Sequence, residues 1–170
     1  MRKKLYVLCL LSVLIGYATD SSEDARSIKN LTTKTRSYKV IGIKDGDTFV
    51  VLMNGRAQVV RLEHIDCPEK KQAFGTKAKQ FASNLCYGKF VQLQSKNKYD
   101  RYKRLIAEVI LPNGLNVNKA LVKNGLAWHY KKHSKSSEYA QLEHSARQQR
   151  RGVWSDPNPV APWEWRKRRR

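Results

Sequence analysis

The sequence predicts an α+β protein that is mainly β: a five-stranded barrel with three helices. Three observations predict it. β-branched, loosely alternating runs follow one another from Tyr38 to Ile65, broken only by short turn signals. At Gly75 the apolar period changes to that of a helix, with Ala78, Phe81, Ala82 and Leu85 on one side. Two further strand-like runs then precede two further helical stretches. A chain of 170 residues holds one domain with a proper core and is short for two.

In order, residues 1–18 read as a secretory signal. Arg2, Lys3 and Lys4 precede an apolar run from Leu5 to Ile15, and Gly16, Tyr17 and Ala18 offer small residues near a cleavage point. The run falls short of the roughly 20 apolar residues a bilayer span needs. A secreted or periplasmic protein with no stable membrane span after cleavage is therefore expected, a retained anchor being the lesser reading. Residues 19–37 are polar and aperiodic and read as a flexible leader. The domain proper is expected over residues 38–155, and residues 156–170 form a Pro/Trp/Arg-rich basic tail.

Within the domain, Tyr38 to Ile43 is the first strand, and Asp45-Gly46 makes a turn for which glycine supplies a positive φ. Thr48 to Met53 is the second strand. Asn54-Gly55, the preferred two-residue hairpin turn, hands the chain to a third strand that runs through Arg61 to Asp66 and breaks at Pro68. A helix from Gly75 ends at Gly88, and Phe90 to Gln94 and Leu105 to Leu111 are the fourth and fifth strands. Asn116 caps a second helix that stops at Gly125, and Ser136 or Ser137 caps a third that runs to about Arg151. This order is that of a Greek-key barrel, the OB-fold, extended by C-terminal helices. OB barrels host binders and enzymes alike, so the fold does not fix the function.

The charge narrows the partners. Lys and Arg number 34 against 14 Asp and Glu, a formal net charge of +20, and loss of residues 1–18 with their three cations would leave +17. Such an excess points to a polyanion, nucleic acid first and an anionic surface second. The third cysteine, Cys9, lies in the signal, so only Cys67 and Cys86 remain, and either one disulfide or two buried thiols is compatible with the sequence.

Against this basic background the carboxylates are placed tellingly. Adjacent antiparallel strands bring Asp47, at the start of the second strand, and Asp66, at the end of the third, to the same end of the sheet. Glu69 follows the Pro68 break. Converging carboxylates suit a hard cation with oxygen ligands, whereas His64 and His129 lack partners at the spacing a transition metal needs. Each residue alone has an ordinary explanation, such as a turn former, a loop cap or an exposed strand cation; their joint occurrence carries the argument.

Four segments, Ile43-Lys44-Asp45-Gly46-Asp47-Thr48, Arg61 to Glu69, Asp100-Arg101-Tyr102-Lys103-Arg104, and Asn118 to Ala127, resemble the staphylococcal (micrococcal) nuclease family in order and approximate spacing, from about Tyr38 to Ser155. The resemblance implies an SNase-like barrel and a calcium-dependent nuclease that hydrolyses DNA or RNA and leaves 3′-phosphate ends. It implies Ca2+ ligands at Asp47, Asp66 and the carbonyl of Cys67, a general base at Glu69, and phosphate-gripping guanidinium groups at Arg61 and Arg104. Arg101, Tyr102 and Tyr130 match positions that touch neighbouring parts of the substrate. A monomer is expected. Two departures stand out: Lys103 occupies a position that is often Gly in the family, and the segment from Lys70 to Phe74 is shorter than in its best-known member. A catalytically silent nucleic-acid-binding barrel is the alternative, and an envelope protein held through its basic tail is a third reading.

Overall fold

The computed structural model describes residues 36–168, so the expected signal and nearly all of the leader lie outside the described residues. Five strands close into a barrel in the order β1-β2-β3-β6-β5: β1 (Ser37–Asp45), β2 (Thr48–Met53), β3 (Arg56–Leu62), β5 (Phe90–Gln94) and β6 (Leu105–Ile110). β1, β2 and β3 form the expected meander. Asn54 and Gly55 both adopt positive φ, 50° and 75°, the conformation of a turn whose twist matches its flanking strands. β3 closes against β6 in parallel, with Arg61 opposite Ile106. Inward-facing Val40, Phe49, Val51, Val60, Leu62, Val91, Ala107 and Val109 fill the barrel.

Two local expectations change. The third strand does not run unbroken to Asp66. Glu63 and His64 form a turn, with His64 at φ 70°, and β4 (Ile65–Asp66) pairs instead with β7 (Trp128–His129), Asp66 standing opposite Trp128. Gly46 does not take a positive φ; its requirement is space. A Cβ there would lie 2.8 Å from Cys67 Sγ and 2.9 Å from Ala78 Cβ, so the β1–β2 turn rests directly on the segment that follows β4.

The helices are α1 (Gly75–Cys86), α2 (Val117–Lys123), α3 (Ser137–Gln148) and α4 (Pro162–Lys167), with a 3₁₀ turn over Gly152–Ser155. α1 buries Ala78, Ala82 and Cys86, one residue per turn along a single stripe. The Asn116 side chain accepts from Lys119 N (3.0 Å) to cap α2, and Ser136 rather than Ser137 caps α3. The buried side chain of Asn118 ties α2 to the barrel: it accepts from Val109 N (3.1 Å) and donates to the carbonyls of Glu63 and Ala107.

α4 adds a fourth helix to the three expected, and it lies in the stretch set apart as a tail. Pro162 occupies its first turn, where a missing N–H costs nothing. Ala161 joins Trp128, Ala146, Val153 and Trp154 in a second apolar cluster, with Trp163 packed against it. Cys67 and Cys86 are both buried and unpaired. No helix among the described residues is long and apolar enough to cross a membrane.

Candidate active site

The site lies at the end of the barrel where β2 begins and β3 ends, because the register places Thr48 opposite Arg61. Arg61 is its centre. Its guanidinium contacts Asp47 Oδ2 at 3.1 Å and Asp66 Oδ1 at 2.8 Å, and donates to the Leu62 carbonyl at 3.0 Å. Asp47 Oδ2 also accepts from Cys67 N at 2.6 Å. The two aspartates expected to converge therefore share one guanidinium, and the Cys67 backbone is drawn to the same point. Burial disfavours the charge on Arg61, but Asp47 and Asp66 outweigh it and raise its pKa.

Arg104 reaches the same centre from the loop before β6. Its Nε donates to Asp100 Oδ2 at 2.6 Å, and its Nη1 donates to Thr48 Oγ1 at 3.4 Å. Thr48 in turn donates to Asp47 Oδ1 at 3.2 Å. Asp100 Oδ1 accepts from the backbone N–H groups of Tyr102 and Arg104. Against a burial penalty, these bonds from Arg104 and Tyr102 hold the Asp100 carboxyl below its ordinary range. Lys103, inside this turn, has φ 59°, a backbone region that favours glycine.

Glu69 sits on a short loop held by hydrogen bonds. Its N–H donates to Gln72 Oε1, its carbonyl accepts from Gln72 N, and Gln72 Nε2 reaches the Val160 carbonyl. Gly75 makes room for this: a Cβ there would stand 1.9 Å from the Glu69 carbonyl oxygen.

The last component comes from α4. Arg166 Nη2 contacts Asp66 Oδ2 at 2.7 Å, and its Nη1 contacts Glu69 Oε1 at 2.7 Å and Asp66 Oδ1 at 3.4 Å. Burial pushes the Asp66 carboxyl up, against the opposing pull of Arg166 and Arg61. Burial is the largest single influence on Arg166 and works against its charge, but Asp66 and Glu69 together outweigh it and raise its pKa.

Among the expected site residues, Asp47, Arg61, Asp66, Cys67, Glu69 and Arg104 thus form one connected cluster. Arg101 and Tyr102 stand at its edge: Tyr102 is 64% exposed, and the guanidinium groups of Arg101 and Arg104 lie 4.9 and 5.4 Å from its ring centroid. Tyr130 follows β7, donates its N–H to the His64 carbonyl, and stacks on Trp163 at 5.4 Å and 13°. Trp128, Tyr130, Lys131, Trp163 and Lys167 line a cavity of about 390 Å³ beside it.

Four participants were not among the expected site residues: Asp45, Thr48, Asp100 and Arg166, the last of which was read only as part of the basic tail. The first three sit inside motifs already quoted, one or a few residues from an expected site residue. Arg166 gave no local signal, since its partners lie about a hundred positions away.

The donor set suits a hard cation. Asp47 and Asp66 are buried and offer oxygen only, and Asp45 adds a third carboxyl, pushed up to about 6 by burial and by the neighbouring Asp47. Concentrated negative charge in so basic a chain calls for a positive counterpart. Burial raises the Cys67 thiol well above its ordinary value, so it is no thiolate ligand. No three His, Cys, Asp or Glu side chains among the described residues form a ready cage. The oxygen donors gathered here are the carboxyl groups of Asp45, Asp47 and Asp66, with guanidinium groups balancing their charge.

The staphylococcal nuclease homologue family matches residues 59–156. An endonuclease of Escherichia coli O157:H7, described as uncharacterized, is 40% identical over 131 residues, which cover 77% of this chain and 85% of the relative. A similarly described endonuclease of Haemophilus influenzae is 44% identical over 130 residues, covering 76% of this chain and 72% of its own. A Shigella flexneri protein named micrococcal nuclease is 40% identical over 139 residues, covering 76% and 79%.

Proposed function

The chain belongs to the staphylococcal nuclease family, and from that premise we propose that it is a calcium-dependent nuclease hydrolysing phosphodiester bonds of DNA or RNA and leaving 3′-phosphate ends. One observation carries the reading: Asp47, Arg61, Asp66, Glu69 and Arg104, drawn from two strands and three turns or loops, meet at one end of the barrel, linked with Thr48 and Arg166 through contacts of 2.7–3.4 Å.

Asp47, Asp66 and the Cys67 carbonyl would hold Ca2+, which when bound supplies Lewis-acid polarisation of a phosphate oxygen. Glu69, on its anchored loop, is suited to take a proton from the attacking water, a contribution of about 10²–10⁴ in rate. Arg104 would turn the free edge of its planar fork to the phosphate, and Arg61, which lies on Asp47 and Asp66, would grip it from beside the cation site; fixed donors of this kind gain strength as charge builds on its oxygens. Asp100 holds Arg104 Nε, which leaves the outer edge of the guanidinium for substrate. Tyr102 offers an open ring on which an unpaired base can stack. Arg101 adds a phosphate contact beside it. Tyr130 reaches bases only where Trp163 leaves its ring free. An N-terminal signal fits work outside the cytoplasm, on polynucleotides the cell takes up or meets.

The test is digestion of single-stranded DNA and RNA with calcium and then with chelator, followed by end-group analysis. Glu69→Gln and Arg104→Ala are expected to lose at least about 10²-fold in kcat. Arg61→Lys is expected to lose activity despite its retained charge, because a point charge cannot form two parallel bonds. Binding of the oligonucleotide without cleavage by the unmodified chain would favour the silent module instead, and near-normal rates in all three variants would remove the residue assignments.

A further inference from the structure

Asp66 is the most heavily claimed carboxylate of the site. Arg61 takes its Oδ1 at 2.8 Å, and Arg166 takes Oδ2 at 2.7 Å while also approaching Oδ1 at 3.4 Å. The same Arg166 reaches Glu69 Oε1 at 2.7 Å, so its guanidinium bridges the aspartate and the glutamate. Both oxygens of Asp66 are therefore engaged by positive charge.

A calcium ion needs an oxygen of Asp66 at about 2.3–2.6 Å. A guanidinium nitrogen at 2.7 Å takes one lone pair of Oδ2 and sets its positive charge against a dication at the other. Cation entry therefore favours release of one of the two arginines. Arg61 sits in the middle of the barrel wall, its side chain 14% exposed and also paired with Asp47. Arg166 is 40% exposed and rides on a helix of six residues near the chain's end. The difference in burial and anchorage selects Arg166 as the one that moves.

We infer that Arg166 competes with the cation for Asp66: its guanidinium bridges Asp66 and Glu69 when no cation is bound, and the cation enters by displacing it. This rests on the reading of Asp66 as a cation ligand given above. Its consequence is that α4 limits cation affinity, so the C-terminal segment tunes the site although it is remote from it in sequence.

Calorimetric titration of the folded full chain with calcium, without nucleic acid, tests this. Arg166→Ala and Arg166→Gln are expected to bind calcium about tenfold more tightly than the unmodified protein, or about 1.4 kcal/mol. Arg168→Ala, which removes an exposed cation one residue beyond α4, is the control for bulk charge and is expected to change affinity less than about twofold. Gln keeps part of the stem, so one variant stays informative if truncation to Ala disturbs α4. In the unmodified protein, calcium is also expected to raise amide exchange over residues 164–168. Equal or weaker calcium binding by both Arg166 variants, or equal tightening by Arg168→Ala, overturns the competition and leaves the proposed nuclease standing. Absence of calcium binding in every protein overturns both.

Discussion

Lys103 stands at φ 59° between two residues that Asp100 clamps, in a turn that delivers Arg104 to Thr48. A residue with a Cβ pays about 1–2 kcal/mol in that region, and a glycine recovers part of it while adding freedom to the unfolded chain. Lys103→Gly is therefore expected to stabilise the protein by about 0.5–1 kcal/mol in urea unfolding. The cost that the lysine imposes is offset by the four bonds from Arg104, Tyr102 and Lys103 to Asp100 and its carbonyl. A drop in stability would mean that the Lys103 side chain contributes more than its backbone costs. At the same scale, Asp47, Asp66 and Glu69 were legible in the sequence because each sits beside a strong local signal: a Gly turn, a strand end, a Pro break. Asp100 was not, because a carboxylate that positions an arginine four residues on looks like any loop acid. Gly46 was read for the wrong reason, since only the folded chain reveals that Cys67 and Ala78 crowd it.

Among the elements, α4 is the one that the sequence concealed. Six residues are too few for a helical period to register, and the flanking prolines and arginines mimic a solvated terminus. The side chain that seats it is Trp163, whose ring meets Trp128 at 5.6 Å edge-on and lies flat on Tyr130. Trp163→Ala is expected to loosen α4, with amide protection over residues 164–168 falling and stability dropping by about 1–2 kcal/mol in urea unfolding, less than for a fully buried tryptophan because the ring is only half covered. Unchanged protection would show that Ala161 and the Arg166 ion pairs suffice to hold the helix. The break after β3 escaped the sequence for a different reason. Ile65 extends the apolar alternation past Glu63 and His64, so periodicity alone reads one strand where the chain makes a turn and joins another sheet.

For the whole molecule, the barrel, its meander and the positions of the main helices followed from strand alternation, hairpin chemistry and caps, which are local. The closure of β3 on β6 in parallel, and the return of α4 to Asp66, are long-range and had no local trace. Charge is distributed on the same scale. Asp45, Asp47, Asp66, Glu69 and Asp100 gather five of the 14 acidic residues at one place, and the rest of the sequence sets nine against 34 Lys and Arg. Nucleic acid is therefore expected to bind by counterion release even with chelator present, the affinity for a single-stranded oligonucleotide falling with salt at a log–log slope of about −3 or steeper. A slope near zero, measured by fluorescence anisotropy at several salt concentrations, would mean that the excess cations do not meet phosphates.

Gly125 and Gly152 face each other so closely that a methyl on either would stand 2.1–2.2 Å from a carbonyl oxygen of the opposite segment. The end of α2 and the exit from α3 are thus fastened backbone against backbone, Val153 N donating to the Gly125 carbonyl across the join, with Arg151 Nη1 reaching the Lys123 carbonyl at 3.3 Å beside it. The fastening leaves no slack for either helix to slide. Trp154, one residue beyond that donor, is thereby held at a fixed height under Trp128, whose backbone pairs with Asp66. Two glycines with no chemistry of their own thus fix, through Trp154 and Trp128, the packing behind the strand pair that carries Asp66.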